Sequence, residues 1–162
     1  MLLRRLARPL FATWFVTEGI DALRRPVPHV ADARAVLARV ERARPDARVD
    51  VTDAQLTGIV RAHGAAVVTA GAMLALGKAP RTAALALAAL TAPLVLATLP
   101  ERGAKRLDPV AAQARQDRLV RTLAFAAGAV LVAADREGRP GVAWRLQDAR
   151  ARRAAAAAEH DD

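Results

Sequence analysis

The chain of 162 residues contains no cysteine, no serine and no tyrosine, and only 3% of it is aromatic. Without cysteine it has no disulfide scaffold, no thiolate zinc site, no iron–sulfur cluster of its own and no thiol nucleophile. Without serine it has no Ser-based catalytic triad. Three Phe and two Trp give a core little aromatic bulk. Strand signals are scarce too: no run alternates with period two, and Val-rich stretches are broken by Ala. There is no Gly-rich phosphate loop and no His-Glu-x-x-His motif. His29, His63 and His160 fall in an expected loop, helix and tail, without metal-ligand spacing, so no metal site and no catalytic residue is assigned.

What is present is aliphatic and basic. Hydrophobic residues make up 54% of the chain, Ala alone fills 42 positions, and 23 of the 25 basic residues are Arg. A GC-rich genome accounts for both biases, so Arg over Lys is no evidence of phosphate recognition. Ala still has the best helix propensity, and the expected fold class is all-α. The formal net charge is +9. Nucleic acid is not the expected partner, because the Arg residues are spread over every loop and no aromatic platform accompanies them. Attraction to anionic lipid explains the charge more simply.

Four apolar segments organise residues 1–145, with helices expected near 6–23, 54–77, 82–99 and 111–134. Thr82 to Leu99 runs 18 residues without a charge; at 1.5 Å per residue it spans about 27 Å, close to the bilayer's hydrocarbon core. Pro93 lies inside it, which membrane helices tolerate where neighbouring helices and Thr hydroxyls re-satisfy freed carbonyls. Ala62 to Gly77 is a second uncharged run if His63 is neutral, and Thr52 with Gln55 forms a capping box ahead of it. Leu6 to Leu23 and Leu119 to Ala134 carry more charge and are weaker candidates alone. The first segment does not read as a cleavable signal, since Glu18 and Asp21 stand where a small-residue cleavage site belongs. Gly71 with Ala75, and Ala84 with Ala88 and Ala92, recur at the four-residue spacing of membrane helix contacts. Together the segments predict an up-down four-helix transmembrane bundle.

Between the first two segments, Val30, Ala33, Leu37 and Val40 share one face of a short amphipathic helix that lies on the membrane surface or caps the bundle, and Pro45 ends it. Lys78 to Arg81 is a tight turn that makes the second and third helices antiparallel neighbours. Glu101 to Asp117 is a polar loop with Asp108-Pro109 as a helix start, and 146–162 is an Ala/Arg-rich tail, frayed helix or disordered. In an up-down bundle the end of the first helix and the starts of the second and fourth share one side. That places Glu18, Asp21, Arg61, His63 and Arg121 at one depth, with Thr13, Thr17 and Asp21 as a polar stripe leading in. Charges at such depth are costly and are paired or face a water-filled cavity. The five residues form a candidate polar vestibule for a quinone headgroup, a small anion or a proton. The structural alternative is helix-end residues snorkelling to the interface, with Asp21 paired to Arg24 and Arg25.

The motifs, in order, resemble actinobacterial-type proteins of the DoxX family. They are Arg8-Pro9-Leu10 with Gly19-Ile20-Asp21-Ala22-Leu23; Arg61-Ala62-His63-Gly64-Ala65, Ala70-Gly71 and Leu74-Ala75-Leu76-Gly77; Pro80-Arg81 with Ala83-Ala84-Leu85 and Leu87-Ala88-Ala89; and Asp108-Pro109, Arg121-Thr122-Leu123, then Asp135-x-x-Gly138-x-Pro140 with Trp144-Arg145. The resemblance covers residues 4 to 145. It implies a multi-pass protein of the cell membrane with both termini cytoplasmic, associated with quinone-linked or oxidative-stress redox systems. Two departures stand out: Glu18 replaces a usual small residue, and Leu99-Pro100-Glu101-Arg102 replaces an aromatic and histidine-bearing motif. The positive-inside rule does not settle orientation, because Lys and Arg divide 11 to 12 between the two sides. The expectation is an accessory rather than catalytic subunit, whose partners are the lipid bilayer and oxidoreductase subunits. The alternatives are a scaffold or small-solute-passing bundle without redox role, and a soluble basic helical binding protein.

Overall fold

A computed structural model of the chain describes residues 2–47, 50–99, 108–135 and 150. Among these residues all regular structure is helical: α1 (Leu2–Arg24), α2 (Pro26–Ala43), a single 3-10 turn (Pro45–Ala47), α3 (Asp53–Ala75), α4 (Pro80–Thr98) and α5 (Pro109–Ala134). The all-α expectation holds. The tail from 146, the Gly138-x-Pro140 and Trp144-Arg145 motifs, the Pro100-Glu101-Arg102 replacement and His160 lie outside the described residues, apart from Arg150.

Local chemistry sets the helix boundaries. Arg25 leaves helical geometry between α1 and α2, and Pro26 opens α2 where a missing N–H costs nothing. The α2 helix therefore begins four residues before its apolar pattern does, and His29, expected in a loop, stands in its first turn. At the start of α3, Gln55 N donates to Thr52 Oγ1 at 3.3 Å and Thr52 N donates to Gln55 Oε1 at 2.9 Å, the capping box the sequence predicts. The end of α3 is a Schellman turn: Lys78 N donates to Met73 O and Gly77 N to Leu74 O. Gly77 takes the required positive φ of 68°. Pro80 then starts α4 directly, and Asp108-Pro109 opens α5 at the expected dipeptide.

Contacts between helices fix the topology. Going up α1, Ala12 and Val16 meet Gly71, and Gly19 meets Gly64, so α1 and α3 are antiparallel. Arg81 donates to Ala133 O while Arg115, near the start of α5, donates to Thr98 O, so α4 and α5 are antiparallel. With the tight turn between α3 and α4, the long helices α1, α3, α4 and α5 run up, down, up, down. The end of α1, the start of α3, the end of α4 and the start of α5 meet at one end, hereafter the polar end. The α2 helix lies across it, packed on α3 and α4 and touching α1.

The α1–α3 seam has almost no room for side chains. A Cβ on Gly19 would stand 2.7 Å from Gly64 O, one on Gly64 would stand 2.8 Å from Gly19 O, and one on Gly71 would stand 2.9 Å from Val16 Cγ2. Of the expected small-residue pairs, Gly71 and Ala84 are buried in contacts, whereas Ala92 is exposed. Small residues supply much of the core: Ala12, Ala22, Ala70, Ala83, Ala84, Ala97 and Ala129 are buried beside Leu56, Val60 and Val67, and the largest fully buried side chains are Phe15, Leu74 and Leu87. Many other large aliphatics point outward, with Leu10 74%, Leu76 72% and Leu131 71% exposed.

Two helices, α3 and α4, are long and apolar enough to cross a membrane. The α1 and α5 helices are as long, but every stretch of spanning length in them holds three or more charged side chains. Helical threonines turn their hydroxyls onto their own backbone, as in Thr91 Oγ1 to Leu87 O at 2.6 Å and Thr69 Oγ1 to Ala65 O at 2.8 Å. None of these bonds reaches Ala89 O, the carbonyl that Pro93 deprives of its helical donor.

A paired substitution tests the seam. Gly19→Ala introduces a methyl against backbone and should destabilise the protein by about 2 kcal/mol, the usual cost of overpacking. Gly58→Ala, where nothing lies within 4 Å of the added Cβ, should gain up to about 1 kcal/mol from helix propensity. Thermal unfolding of the purified protein in detergent reads both, and equal shifts would reject the close-approach account.

Candidate functional site

The polar end is organised by α2, which reaches each of the four long helices with a polar contact. His29 Nε2 lies 3.1 Å from Asp21 Oδ2 at the end of α1. Arg34 donates to Asp53 Oδ1 at the start of α3, its Nε at 3.0 Å. Arg39 donates to Leu99 O beyond the last turn of α4. Asp32 receives Arg118 of α5 on both carboxylate oxygens. Positions 29, 32 and 36 stack on one face of a helix, so a single row carries two of these contacts together with Val36. Arg115 adds donors at 3.3 Å to Thr98 O and 3.2 Å to Leu99 O. Two guanidinium groups thus cover the carbonyls of the α4 C-terminus, where unsatisfied acceptors and the negative dipole end call for cations.

Beneath α2 lies a cleft of about 330 Å³. Its walls are aliphatic: Val36 and Leu37 from α2, Leu56 and Val60 from α3, Leu94 and Ala97 from α4. Its polar side chains are His29, Asp32 and His63. His29 is committed to Asp21 and Asp32 to Arg118, whereas His63 Nε2 is buried with no hydrogen-bond partner among the described residues. A second cleft, about 340 Å³, lies between α1 and α5 and is mostly polar: Glu18, Asp117, Arg118 and Arg121 line it with Trp14 and Thr122.

The expected vestibule is therefore divided. Glu18 and Arg121 share the α1–α5 cleft. His63 lies in the cleft under α2, and Asp21 reaches that cleft through His29. Asp21 has taken His29 as partner rather than Arg24 or Arg25, because the chain turns at Arg25 and brings α2 back over the end of α1. Arg61 is exposed on α3, belongs to neither cleft and makes no ion pair with Glu18. The Thr13–Thr17 stripe offers no hydroxyl proton to a ligand, since Thr13 donates to Pro9 O and Thr17 to Trp14 O, both at 2.8 Å.

Sequence reasoning missed His29, Asp32, Arg118 and Trp14. The i, i+3, i+7 row of His29, Asp32 and Val36 was the available signal for the first two. Arg118 carries none, because its partner is 86 positions away. Four of the five aromatic residues, Phe11, Trp14, Phe15 and Phe125, form one cluster between α1 and α5. Trp14 stacks on Phe125 with centroids 4.2 Å apart and Phe11 stacks on it at 5.6 Å. Gly128 makes room for this, as a Cβ there would stand 2.7 Å from the Phe11 ring. Among the described residues no group of three or more His, Asp or Glu is placed to hold a metal ion.

No family model matches this chain, and no curated protein and no solved structure matches it either.

The contacts of α2 make a measurable claim about its anchoring. Arg118→Ala removes the contact with α5, and Asp53→Asn weakens that with α3; both pairs are partly exposed, so each is worth up to about 1 kcal/mol. Hydrogen exchange of α2 amides should quicken by about twofold to fivefold in either variant and by the product of the two in the double variant. The amides of α3 and α4 facing each other should not change.

Proposed function

We propose that this chain is a DoxX-like integral membrane protein, with α1, α3, α4 and α5 crossing the bilayer and α2 at one surface, serving as a non-catalytic accessory subunit of a membrane redox system. The observation that supports membrane insertion most is where the bulk lies. Alanine and glycine make up much of the interior, beside Phe15, Leu56, Leu74 and Leu87, while large aliphatics such as Leu10, Ile59, Leu85 and Leu131 cover the outside of α1, α3, α4 and α5. Water-driven folding buries large side chains first, whereas in lipid the gain comes from close backbone approach at small residues. Apolar surface of this extent marks a membrane or partner contact.

The charges of α1 and α5 fit this reading because they lie toward helix ends: Arg4, Arg5 and Arg8 at the start of α1, and Glu18, Asp21, Arg24 and those of α5 toward the polar end, where α2 and the α4 carbonyls meet several of them. At about 1.5 Å per residue, the 26 residues of α5 span about 39 Å. That exceeds the roughly 30 Å hydrocarbon core by only about 9 Å, so Asp117, Arg118 and Arg121 reach into its edge, where they line the α1–α5 cleft. The start of α1 and the end of α5 then lie on the side opposite the polar end, the cytoplasmic side in the DoxX-like reading. Redox chemistry comes from a partner, with a quinone as the lipid-soluble carrier such a system uses. Of the vestibule residues, Glu18, Asp21, Arg61 and Arg121 stand where headgroups and water reach the bundle, whereas His63 lies in the cleft under α2.

Two measurements test the proposal separately. The protein should stay in the membrane pellet through carbonate and high-salt washes and leave it only with detergent. Release without detergent would reject insertion and favour a soluble basic helical protein. Gentle solubilisation from native membranes should bring an oxidoreductase down with it. Inserted protein that carries none would replace the redox role with scaffolding or solute passage.

A further inference from the structure

We infer that the cleft beneath α2 is a binding site for one neutral lipophilic molecule, whose carbonyl or hydroxyl head meets His63 and whose apolar body lies along α3 and α4. Three observations converge. The first is size: about 330 Å³ is at the small end of ligand clefts, about 300–1,000 Å³, room for one alkyl chain or one ring rather than a two-chain lipid. The second is lining, which is aliphatic except for one polar corner. The third is the state of that corner.

Within it, His29 is held by Asp21 and Asp32 by Arg118, so both groups have partners. His63 Nε2 alone is buried without one. Buried polar nitrogens are nearly always bonded, and an exception calls for an occupant. An imidazole nitrogen donates to a carbonyl in one tautomer and accepts from a hydroxyl in the other, so either head satisfies it. A carboxylate head fits worse. It would add a third negative charge beside Asp21 and Asp32, and the nearby Arg118 guanidinium is already engaged by Asp32.

This inference extends the membrane reading, because such a ligand arrives through the bilayer, but it is tested without any redox partner. The chain has three histidines, so imidazole nuclear magnetic resonance of the intact protein in micelles follows His29 and His63 individually. The probes are 2-undecanone, 1-undecanol, undecanoate and undecane, matched in chain length and compared at equal mole fraction in the micelle. The ketone and the alcohol should shift both imidazoles saturably, about tenfold more tightly than undecane or undecanoate. In His63→Leu, followed through His29, the ketone should fall about tenfold to the level of undecane, while undecane itself is unchanged. Ala97→Phe, which fills the cleft and leaves His63 intact, should abolish the response to all four.

Equal binding of ketone and undecane by the unsubstituted protein, tighter binding of undecanoate, or an unchanged ketone affinity in Ala97→Phe would each overturn the inference. The outcome is distinct from that of the washes. Protein that binds the ketone yet leaves the membrane in carbonate keeps the cleft and loses the membrane reading. Inserted protein that shows no ketone response does the reverse.

Discussion

The contact on which the rest of this structure depends is the backbone approach of α1 to α3 at Gly19 and Gly64. Each glycine costs its helix about 1 kcal/mol relative to alanine, and the two together remove the side chains that would hold the helices apart. Gly71 repeats the arrangement two turns further along α3. With α1 drawn this close, its last turn lies beside the first turns of α3, and the chain leaving Arg24 has only one way to go: back over the ends of α3 and α4. The position of α2, and hence of both clefts, follows from that.

Charge is then managed locally. The polar contacts described between α2 and the long helices each meet a group that is itself a problem for the bundle: a carboxylate at the end of α1, an aspartate at the start of α3, carbonyls at the end of α4, and a guanidinium on the third turn of α5. Elsewhere the helices hide polarity in a different way, by turning threonine hydroxyls onto their own carbonyls. The result is a molecule with its charges toward its two ends and few polar groups free along its length. The aromatic cluster of Phe11, Trp14, Phe15 and Phe125 serves the same economy of space. It fills the wider gap between α1 and α5 that alanine and glycine cannot.

This division of labour bears on function more than any single residue does. An interior rich in alanine and glycine, with many leucines left outside, is a poorer solution in water than in lipid, where the solvent gives no reward for burying leucine. A chain with no cysteine or tyrosine has few means of moving electrons itself, which is why the membrane-redox reading assigns it an accessory place. The cleft beneath α2 is where a small lipophile would meet the protein, because there an aliphatic wall and an unpartnered polar nitrogen coincide.

Local rules were enough for the helices. Alanine content, the capping box of Thr52 and Gln55, Gly77 at a helix end and prolines at helix starts depend on neighbours within four residues, and the sequence carries them openly. The convergence of the end of α1 with the starts of α3 and α5 was also legible, because an antiparallel bundle with short turns allows little else. Tertiary structure decided which side chains at that end meet. The hydrophobic pattern of α2 fixes its inner face but not its direction across the bundle, and that direction chose His29 for Asp21, Asp32 for Arg118, and solvent or lipid for Arg61. Pairings between residues 19 to 86 positions apart leave no periodic trace, since they depend on helix crossing and depth, which backbone contact at two glycines sets and no local propensity encodes.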